Sequence, residues 1–164
     1  MIVCPNTSPL LVLARLDRLA LLGEPPTVVL TRAVFDEVRD KQDQATARVE
    51  AFARLLPPLV EPAPSDRIDR TRSLGPGETS VLAWALSAGP EGLCVLDDAA
   101  ARSEARRLGL TITGTLGLIL RAKLDGRILA AAPVLEQAVA AGLYLDDLVL
   151  ATALSGVGES WPRR

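Results

Sequence analysis

The sequence predicts an α/β domain with three layers, in which helices cover both faces of a central parallel sheet of four to five short strands. Two observations support this prediction. Short apolar runs alternate along the chain with longer segments of helical period, and elements that alternate in this way form βαβ units with parallel pairing. Apolar residues make up 49% of the 164, which is enough for one core, and no internal repeat or domain-sized linker interrupts the pattern.

The strands are predicted from short apolar or β-branched runs. The clearest covers residues 93–96 and is followed directly by two acidic residues, Asp97 and Asp98. The other strands are predicted over residues 2–4, 27–30, 59–60 and 110–112.

The helices are predicted from the residues that begin and end them. Ser8 followed by Pro9 predicts the start of a Leu-rich helix that ends at Gly23. Thr31 begins a second helix and Asp146 begins the last one. The remaining helices are predicted over residues 45–56, 75–88, 99–108, 115–125 and 133–141. We expect one domain over residues 1–155 and a flexible tail over residues 156–164.

The composition excludes several kinds of active site. The chain has no histidine, which rules out a Ser-His-Asp triad, a Cys-His pair and a His-ligated zinc. Cys4 and Cys94 lie in apolar runs and are expected to be buried free thiols of a reducing cytoplasm. Because the net charge is −2, any nucleic acid must bind to local basic clusters. We expect a cytoplasmic protein, since the sequence has neither a signal-peptide pattern nor an apolar span of about 18 residues.

Four carboxylates and one amide occur where parallel sheets bind ligands, outside the carboxyl ends of the strands. Asn6 follows the first predicted strand, Glu37 lies on the helix after the second, and Glu78 lies in the first turn of a helix. Asp97 and Asp98 end the clearest strand. Acids that gather in one place repel each other unless a cation or proton relieves them. Oxygen ligands favour Mg²⁺ or Mn²⁺, which activate water and neutralise phosphoryl charge.

Each of these residues also has a purely structural explanation. Glu37 is equally well explained as a solvated helix residue, and the helix dipole favours Glu78 at a helix start. One of Asp97 and Asp98 is expected to cap the next helix, and Ser8 is explained as a cap. The hypothesis of a metal site therefore depends on the whole set.

Five stretches, in order along the chain, resemble a known family. They are NTSPL at residues 6–10, AVFDEV at 33–38, GPGET at 75–79, VLDD at 95–98 with AR at 101–102, and LGL through TGTLG at 108–117. With these stretches the chain resembles the PIN-domain family, and within it a bacterial and archaeal branch akin to VapC-type toxin ribonucleases. The resemblance covers roughly residues 1–145 and implies a PIN-like α/β/α fold.

The resemblance implies an activity and a set of site residues. The activity is cleavage of phosphodiester bonds in single-stranded RNA at a Mg²⁺ or Mn²⁺ site. Asn6, Glu78 and Asp98 fall on the positions of metal ligands, while Glu37 and Asp97 assist or orient a water. The resemblance further implies a homodimer, and an antitoxin protein as partner if the chain is the toxin of a toxin–antitoxin pair.

The candidates for binding substrate are Ser8, Arg102, Thr113 and Thr115. Arg102 and Arg106 share one helix face, where guanidinium groups would hold phosphates. A solubilising face paired with nearby acids explains these arginines as well. Thr113 and Thr115 lie in the loop after a predicted strand.

Two features bear on the choice between functions. PIN nucleases usually carry Asp where this chain has Asn6, and an amide binds a metal without contributing charge. A PIN-like protein without catalysis, acting as a binding or regulatory partner, is therefore the alternative function. A phosphatase is a third and weaker hypothesis, because its aspartyl nucleophile would have to occupy the position of Asn6. Aromatic residues make up only 3%, and Phe35 and Tyr144 are expected to be packing residues, so base stacking is poorly supplied.

Overall fold

The structure, a computed structural model, describes residues 1–69 and 71–161. Within that part of the chain, three parallel strands form the centre and eight α-helices surround them. The strands are β1 (Ile2–Pro5), β2 (Gly92–Val95) and β3 (Thr111–Thr113). The helices are α1 (Thr7–Arg15), α2 (Arg32–Asp40), α3 (Thr46–Ala53), α4 (Pro76–Ala88), α5 (Ala99–Arg107), α6 (Thr115–Leu124), α7 (Ala132–Ala140) and α8 (Asp147–Ser155).

The sheet has the order β1-β2-β3, and its register aligns the ends of all three strands. Pro5 pairs with Val95, and Val95 pairs with Thr113. Because the strands are parallel, these three last residues form one row at the carboxyl edge of the sheet. The chain segments that leave this row therefore start side by side, and they carry most of the predicted site.

The prediction of four to five strands is wrong, because the described residues contain a sheet of three. The runs at residues 27–30 and 59–60 form isolated parallel bridges instead, Val28 with Val3 and Thr31 with Val60. Both runs directly follow prolines or a turn built on them: Pro25–Thr27 is a 3₁₀ turn, and residues 57–58 are both proline. Proline lacks the N–H that a ladder needs, so the pairing does not extend.

The first helix differs from its prediction at both ends. Its N-cap residue is Asn6 and not Ser8, since extended backbone at Asn6 leads straight from β1 into the helix. Its end is at Arg15, because Asp17 adopts a left-handed conformation with φ 57°. The predicted continuation to Gly23 is wrong: a separate 3₁₀ helix at Leu19–Leu22 follows, and Gly23 is the C-cap of that short helix. The predicted helix starts at Thr31, Gly75 and Asp146 are confirmed.

The core between the helices and the sheet contains both cysteines. Cys4 and Cys94 are fully buried free thiols that face each other in register. Burial raises the pKa of the Cys4 thiol and raises the pKa of Cys94 to about 12. Both side chains therefore behave as small apolar groups, as the sequence predicted. Trp84 on α4 is buried in the same core.

One buried carboxylate fastens the irregular segment between α3 and α4 to α5. Glu104 is fully buried and accepts hydrogen bonds from the Arg107 guanidinium and from the backbone N–H of Asp69. Arg72 Nε lies 2.9 Å from Glu104 Oε2 as an ion pair without hydrogen-bond alignment. Hydrogen bonds from Arg107 hold the pKa of Glu104 at about 2. The segment is thus held by charge as well as by apolar contacts.

The last described residues contact the rest of the domain. The Glu159 carboxylate accepts hydrogen bonds from the backbone N–H groups of Ala131 and Ala132, where α7 begins. Trp161 Nε1 donates to Asp147 at 2.9 Å. Residues 162–164 lie outside the described part of the chain, and the flexible tail over residues 156–164 stays a prediction. No helix in the described residues has the length and apolar character needed to cross a membrane.

Candidate active site

An open cleft of about 750 Å³ lies beyond the carboxyl edge of the sheet. Asn6 at the end of β1, Glu78 at the start of α4, and Asp97 and Asp98 after β2 all line it. The site therefore collects side chains from three stretches of the chain, the first of which lies more than 70 positions before the other two. This is the edge of a parallel sheet at which ligands bind in open α/β folds.

Glu37 does not line the cleft, and two neighbouring helices hold it beside the start of α4. Thr7 Oγ1, in the first turn of α1, donates a hydrogen bond of 2.5 Å to Glu37 Oε2. The backbone N–H of Gly77, in the first turn of α4, donates one of 2.7 Å to Glu37 Oε1. Both carboxylate oxygens are thus occupied, and Glu37 joins α1, α2 and α4 at one point.

Glu78 uses one oxygen to cap its own helix. Its Oε2 accepts a 2.8 Å hydrogen bond from the backbone N–H of Gly75. Burial raises the pKa of Glu78, the hydrogen bond from Gly75 opposes this rise, and the negative charges of Asp98 and Glu37 add to it. The negative charges of Asp98 and Glu37 thus act on Glu78 in the folded chain.

Asp97 and Asp98 are adjacent in sequence but have different partners. Asp97 accepts hydrogen bonds on both oxygens from Thr115, at 2.7 Å from the backbone N–H and 2.6 Å from Oγ1. Asp98 caps α5, and its Oδ1 accepts a 2.8 Å hydrogen bond from the backbone N–H of Ala101. The predicted capping role thus falls on Asp98. Asp97 is fixed against the start of α6.

Asn6 is the buried polar group of the site that lacks a partner. Its side chain is only 5% exposed, and Oδ1 has no hydrogen-bond donor among the described residues. A Cβ atom on Gly77 would lie 3.0 Å from that oxygen, so the start of α4 approaches it closely. A buried polar atom without a partner costs free energy, about 1–3 kcal/mol. Asn6 Oδ1 is therefore an acceptor in the cleft that a hydrogen-bond donor or a cation would stabilise.

A comparison with known families identifies the domain. A family model described as a PIN domain matches residues 1–159. The chain belongs to the PIN-domain family. The resemblance drawn from five short stretches is confirmed, and the match extends past residue 145 to residue 159. No curated protein and no solved structure matched the chain.

Membership places the chain in a nuclease superfamily whose members generally use divalent metals, and the residues of this PIN domain fit such an ion. Asn6 Oδ1, one oxygen of Glu78 and one oxygen of Asp98 accept no hydrogen bond from the described residues. Glu37 and Asp97 use both of theirs. The described residues contain no metal-binding group of three or more His, Cys, Asp or Glu side chains. The oxygens left without a protein donor therefore belong to two carboxylates and an amide, and hard cations such as Mg²⁺ bind through few protein ligands.

The predicted substrate residues of this PIN domain lie in different places. Ser8 is exposed at the start of α1 and lines the cleft. Arg102 also lines it, and its Nη1 donates a 2.8 Å hydrogen bond to the carbonyl of Leu96. Thr115 is fully buried and its hydroxyl donates to Asp97, while Thr113 lines a neighbouring pocket that shares Asp97 and Arg102 with the cleft. The structure therefore brings Ser8 and Arg102 to the cleft but not the two threonines.

Two cleft residues, Tyr144 and Asp146, were missing from the predicted site, and Arg106 was considered only for the helix face that it shares with Arg102. Arg106 is exposed and lines the cleft, and its side chain makes no hydrogen bond or ion pair with the described residues. Asp146 lines the cleft as well as capping α8. Tyr144 was expected to pack in the core, but it is 97% exposed at the rim of the cleft. The sequence holds no clear signal for this exposure, because an aromatic residue between two leucines fits a core as well as a rim.

Proposed function

We propose that this chain is a metal-dependent endoribonuclease that hydrolyses phosphodiester bonds of single-stranded RNA with Mg²⁺ or Mn²⁺. One observation carries the proposal. The partnerless, buried oxygen of Asn6 lies in the same cleft as two carboxylates, each of which keeps one oxygen unbonded. Three hard oxygen donors that no protein group satisfies favour a divalent cation.

In this proposal Asn6, Glu78 and Asp98 would hold the ion. When bound, the ion would lower the pKa of a water and neutralise charge on the scissile phosphate. Glu78 and Asp98 each keep their second oxygen on a helix cap, so their free oxygens are presented by rigid elements. Such presentation lowers the reorganisation that binding requires.

Glu37 and Asp97 would act as positioning carboxylates next to the ion. Glu37 is fixed by Thr7 and Gly77, and Asp97 is fixed by Thr115. Both keep lone pairs that can orient a water, since each oxygen accepts more than one hydrogen bond. Their charge also adds to the attraction of the site for a cation.

The arginines at one side of the cleft supply the positive charge that RNA needs. Arg102 is fixed by the Leu96 carbonyl, and Arg106 is free to turn toward a phosphate. Guanidinium groups bind phosphates through paired hydrogen bonds. Contacts of this kind position a backbone without reading its sequence, which suits cleavage of single strands.

The alternative function is a PIN-like binding or regulatory protein without catalysis. The observation that favours it is the amide of Asn6, which brings no charge to the site. Only two carboxylates of that site, Glu78 and Asp98, keep an oxygen that accepts no hydrogen bond from the described residues. Such a protein would bind RNA or a protein partner and leave RNA uncut. The toxin role, the antitoxin partner and the homodimer are narrower predictions that depend on activity being present.

Two assays test the proposal. Calorimetry measures Mn²⁺ binding, and a pool of single-stranded RNA with and without chelator measures cleavage. We expect metal-dependent cutting by the wild type, and no cutting by Glu78→Gln or Asp98→Asn. Both variants keep the fold, because a Gln oxygen still accepts from Gly75 N–H and an Asn oxygen still caps α5. Mn²⁺ binding without cutting would favour the binding protein, and equal cutting by the variants would refute the proposed site.

A further inference from the structure

Tyr144 is the aromatic side chain that this PIN domain exposes to solvent. Its ring is 97% exposed, and it lies at the rim of the cleft that contains Glu78 and Asp98. The other aromatic residues are half-buried or buried: Phe35, Phe52, Trp84 and Trp161. An exposed ring at the mouth of a charged cleft gains nothing for folding, because exposure forgoes the free energy that burial of an aromatic supplies.

The chain holds Tyr144 in place from both sides. Leu143 is only 3% exposed, and its backbone N–H donates a 2.8 Å hydrogen bond to the carbonyl of Ala138 at the end of α7. Leu145 packs against the core, and Asp146 caps α8 directly after it. The ring therefore projects from a short segment anchored at both ends. The backbone that carries the ring therefore has little freedom to lose when a ligand contacts it.

The cleft places three kinds of group that a nucleotide needs around one opening. Oxygen ligands lie on its floor, Arg102 and Arg106 line it from α5, and Tyr144 lines it from the α7–α8 connection. Every nucleobase has a flat π-face, and stacking on an aromatic side chain is worth about 1–3 kcal/mol per base. A nucleotide could therefore place its base on the ring of Tyr144 and its phosphate on the arginines of the same cleft.

We propose that Tyr144 is the platform on which a base adjacent to the cleaved phosphate stacks, and that it makes single-stranded RNA the preferred substrate. This inference rests on the proposed function, because it assigns the substrate contact of the same cleft. A paired base has its faces covered by its neighbours in the duplex and cannot reach the ring. Stacking at Tyr144 thus selects unpaired over paired RNA and tolerates any base.

The test compares Tyr144→Ala with Tyr144→Phe, which keeps the ring, and with Leu129→Ala, which removes another exposed apolar side chain outside this cleft. Fluorescence anisotropy at low salt in chelator measures binding of a short single-stranded RNA and of the same RNA without bases. We expect Tyr144→Ala to weaken binding of the intact RNA by at least about fivefold. Tyr144→Phe and Leu129→Ala should bind as the wild type does. The base-free RNA should bind equally to all four proteins.

The outcomes separate this inference from the proposed function. If the wild type binds and cuts RNA while Tyr144→Ala binds it as tightly, the stacking role is refuted and the nuclease stands. If Tyr144→Phe loses as much affinity as Tyr144→Ala, the hydroxyl and not the ring makes the contact, which also refutes stacking. A wild type that neither binds nor cuts RNA would refute the proposed function, and the inference with it.

Discussion

Thr115 holds both oxygens of Asp97: its backbone N–H donates to Oδ1 at 2.7 Å, and its hydroxyl donates to Oδ2 at 2.6 Å. The two residues are 18 positions apart, at the ends of neighbouring strands β2 and β3. The contact is possible because Val95 and Thr113 pair in register, which brings the following residues side by side. A threonine that was a candidate for substrate contact thus orients a carboxylate of the site.

We expect Thr115→Val to destabilise the protein and to reduce RNA cleavage. Val fills the same volume in the fully buried position, so the change isolates the hydroxyl. One oxygen of Asp97 would lose its donor, at a cost of about 1–3 kcal/mol. Urea unfolding measures the loss, and the rate of RNA cleavage measures the effect on the site.

Thr113→Val is the matched control for stability. The Thr113 hydroxyl makes only a 3.5 Å contact with the carbonyl of Gly114, so its loss should change the free energy of unfolding by less than Thr115→Val does. Equal destabilisation by the two variants would contradict the orienting role of Thr115. Reduced cleavage by Thr113→Val at unchanged stability would instead support its predicted contact with substrate.

We expect Gly77→Ala to disrupt the site while Gly75→Ala leaves it intact. A Cβ atom on Gly77 would lie 2.5 Å from Glu37 Oε2 and 3.0 Å from Asn6 Oδ1, so the carboxylate must move and give up its hydrogen bond. A Cβ atom on Gly75 would meet its nearest neighbours at 3.6 and 3.7 Å, which is ordinary contact. Thermal unfolding and Mn²⁺ titration of both variants check this. Equal behaviour of the two would show that the close approach at Gly77 is unimportant.

We expect Asn6→Asp to raise Mn²⁺ affinity and to lower the stability of the metal-free protein. The new charge would lie beside Glu37 and Glu78 at a buried position, where repulsion and desolvation both act against it without a cation. Thermal unfolding with and without Mn²⁺ measures both effects, because a ligand that binds only the folded state raises its stability. Unchanged Mn²⁺ affinity would place Asn6 outside the metal shell.

We expect Glu104→Gln to lower the free energy of unfolding at neutral pH and to lower it much less in acid. The pKa of Glu104 is lowered from 4.5 to about 2 in the folded protein, chiefly by the hydrogen bonds from Arg107. The stability that this carboxylate contributes is therefore present above pH 4.5 and is lost as the pH falls toward 2. The hydrogen bonds from Arg107 to this carboxylate join charged groups, so weakening them costs about 1.5–3 kcal/mol.

Urea unfolding at pH 7 and pH 3 measures the effect of Glu104→Gln. Asp125→Asn is the control, because it breaks an exposed pair with Arg121 whose loss should cost less than about 1 kcal/mol. A difference between wild type and Glu104→Gln that stays the same at both pH values would contradict the charged role of Glu104.

Much of the site could be predicted from residue type and position along the chain. Asp97 and Asp98 follow an unmistakable apolar strand, and Glu78 follows a Gly-Pro-Gly helix start, so the placement of all three needed only local patterns. Tyr144 could not be placed in this way. A single aromatic between two leucines fits a core as well as a rim, and only the anchoring of Leu143 by the end of α7 turns its ring outward.

Only the tertiary structure shows the number of strands and the hydrogen-bond partners of each acidic residue in the site. The residue types at 27–30 and 59–60 are typical of strands. A strand also needs a neighbouring strand with which it forms several backbone hydrogen bonds, and the flanking prolines limit each run to one bridge. Likewise, the family resemblance implies roles for the five oxygen-bearing residues, but only the folded chain shows which of their oxygens accept hydrogen bonds.

The sequence by itself determined the α/β class, the order of the helices and the set of polar residues at the strand ends, because apolar periodicity and capping act over a few residues. The tertiary structure decided which of those residues are free to bind a cation. Thr7, Gly77 and Thr115 occupy the oxygens of Glu37 and Asp97, while Asn6 is buried without a donor. These contacts join residues 18 to 40 positions apart, and only the folded chain brings them within hydrogen-bonding distance.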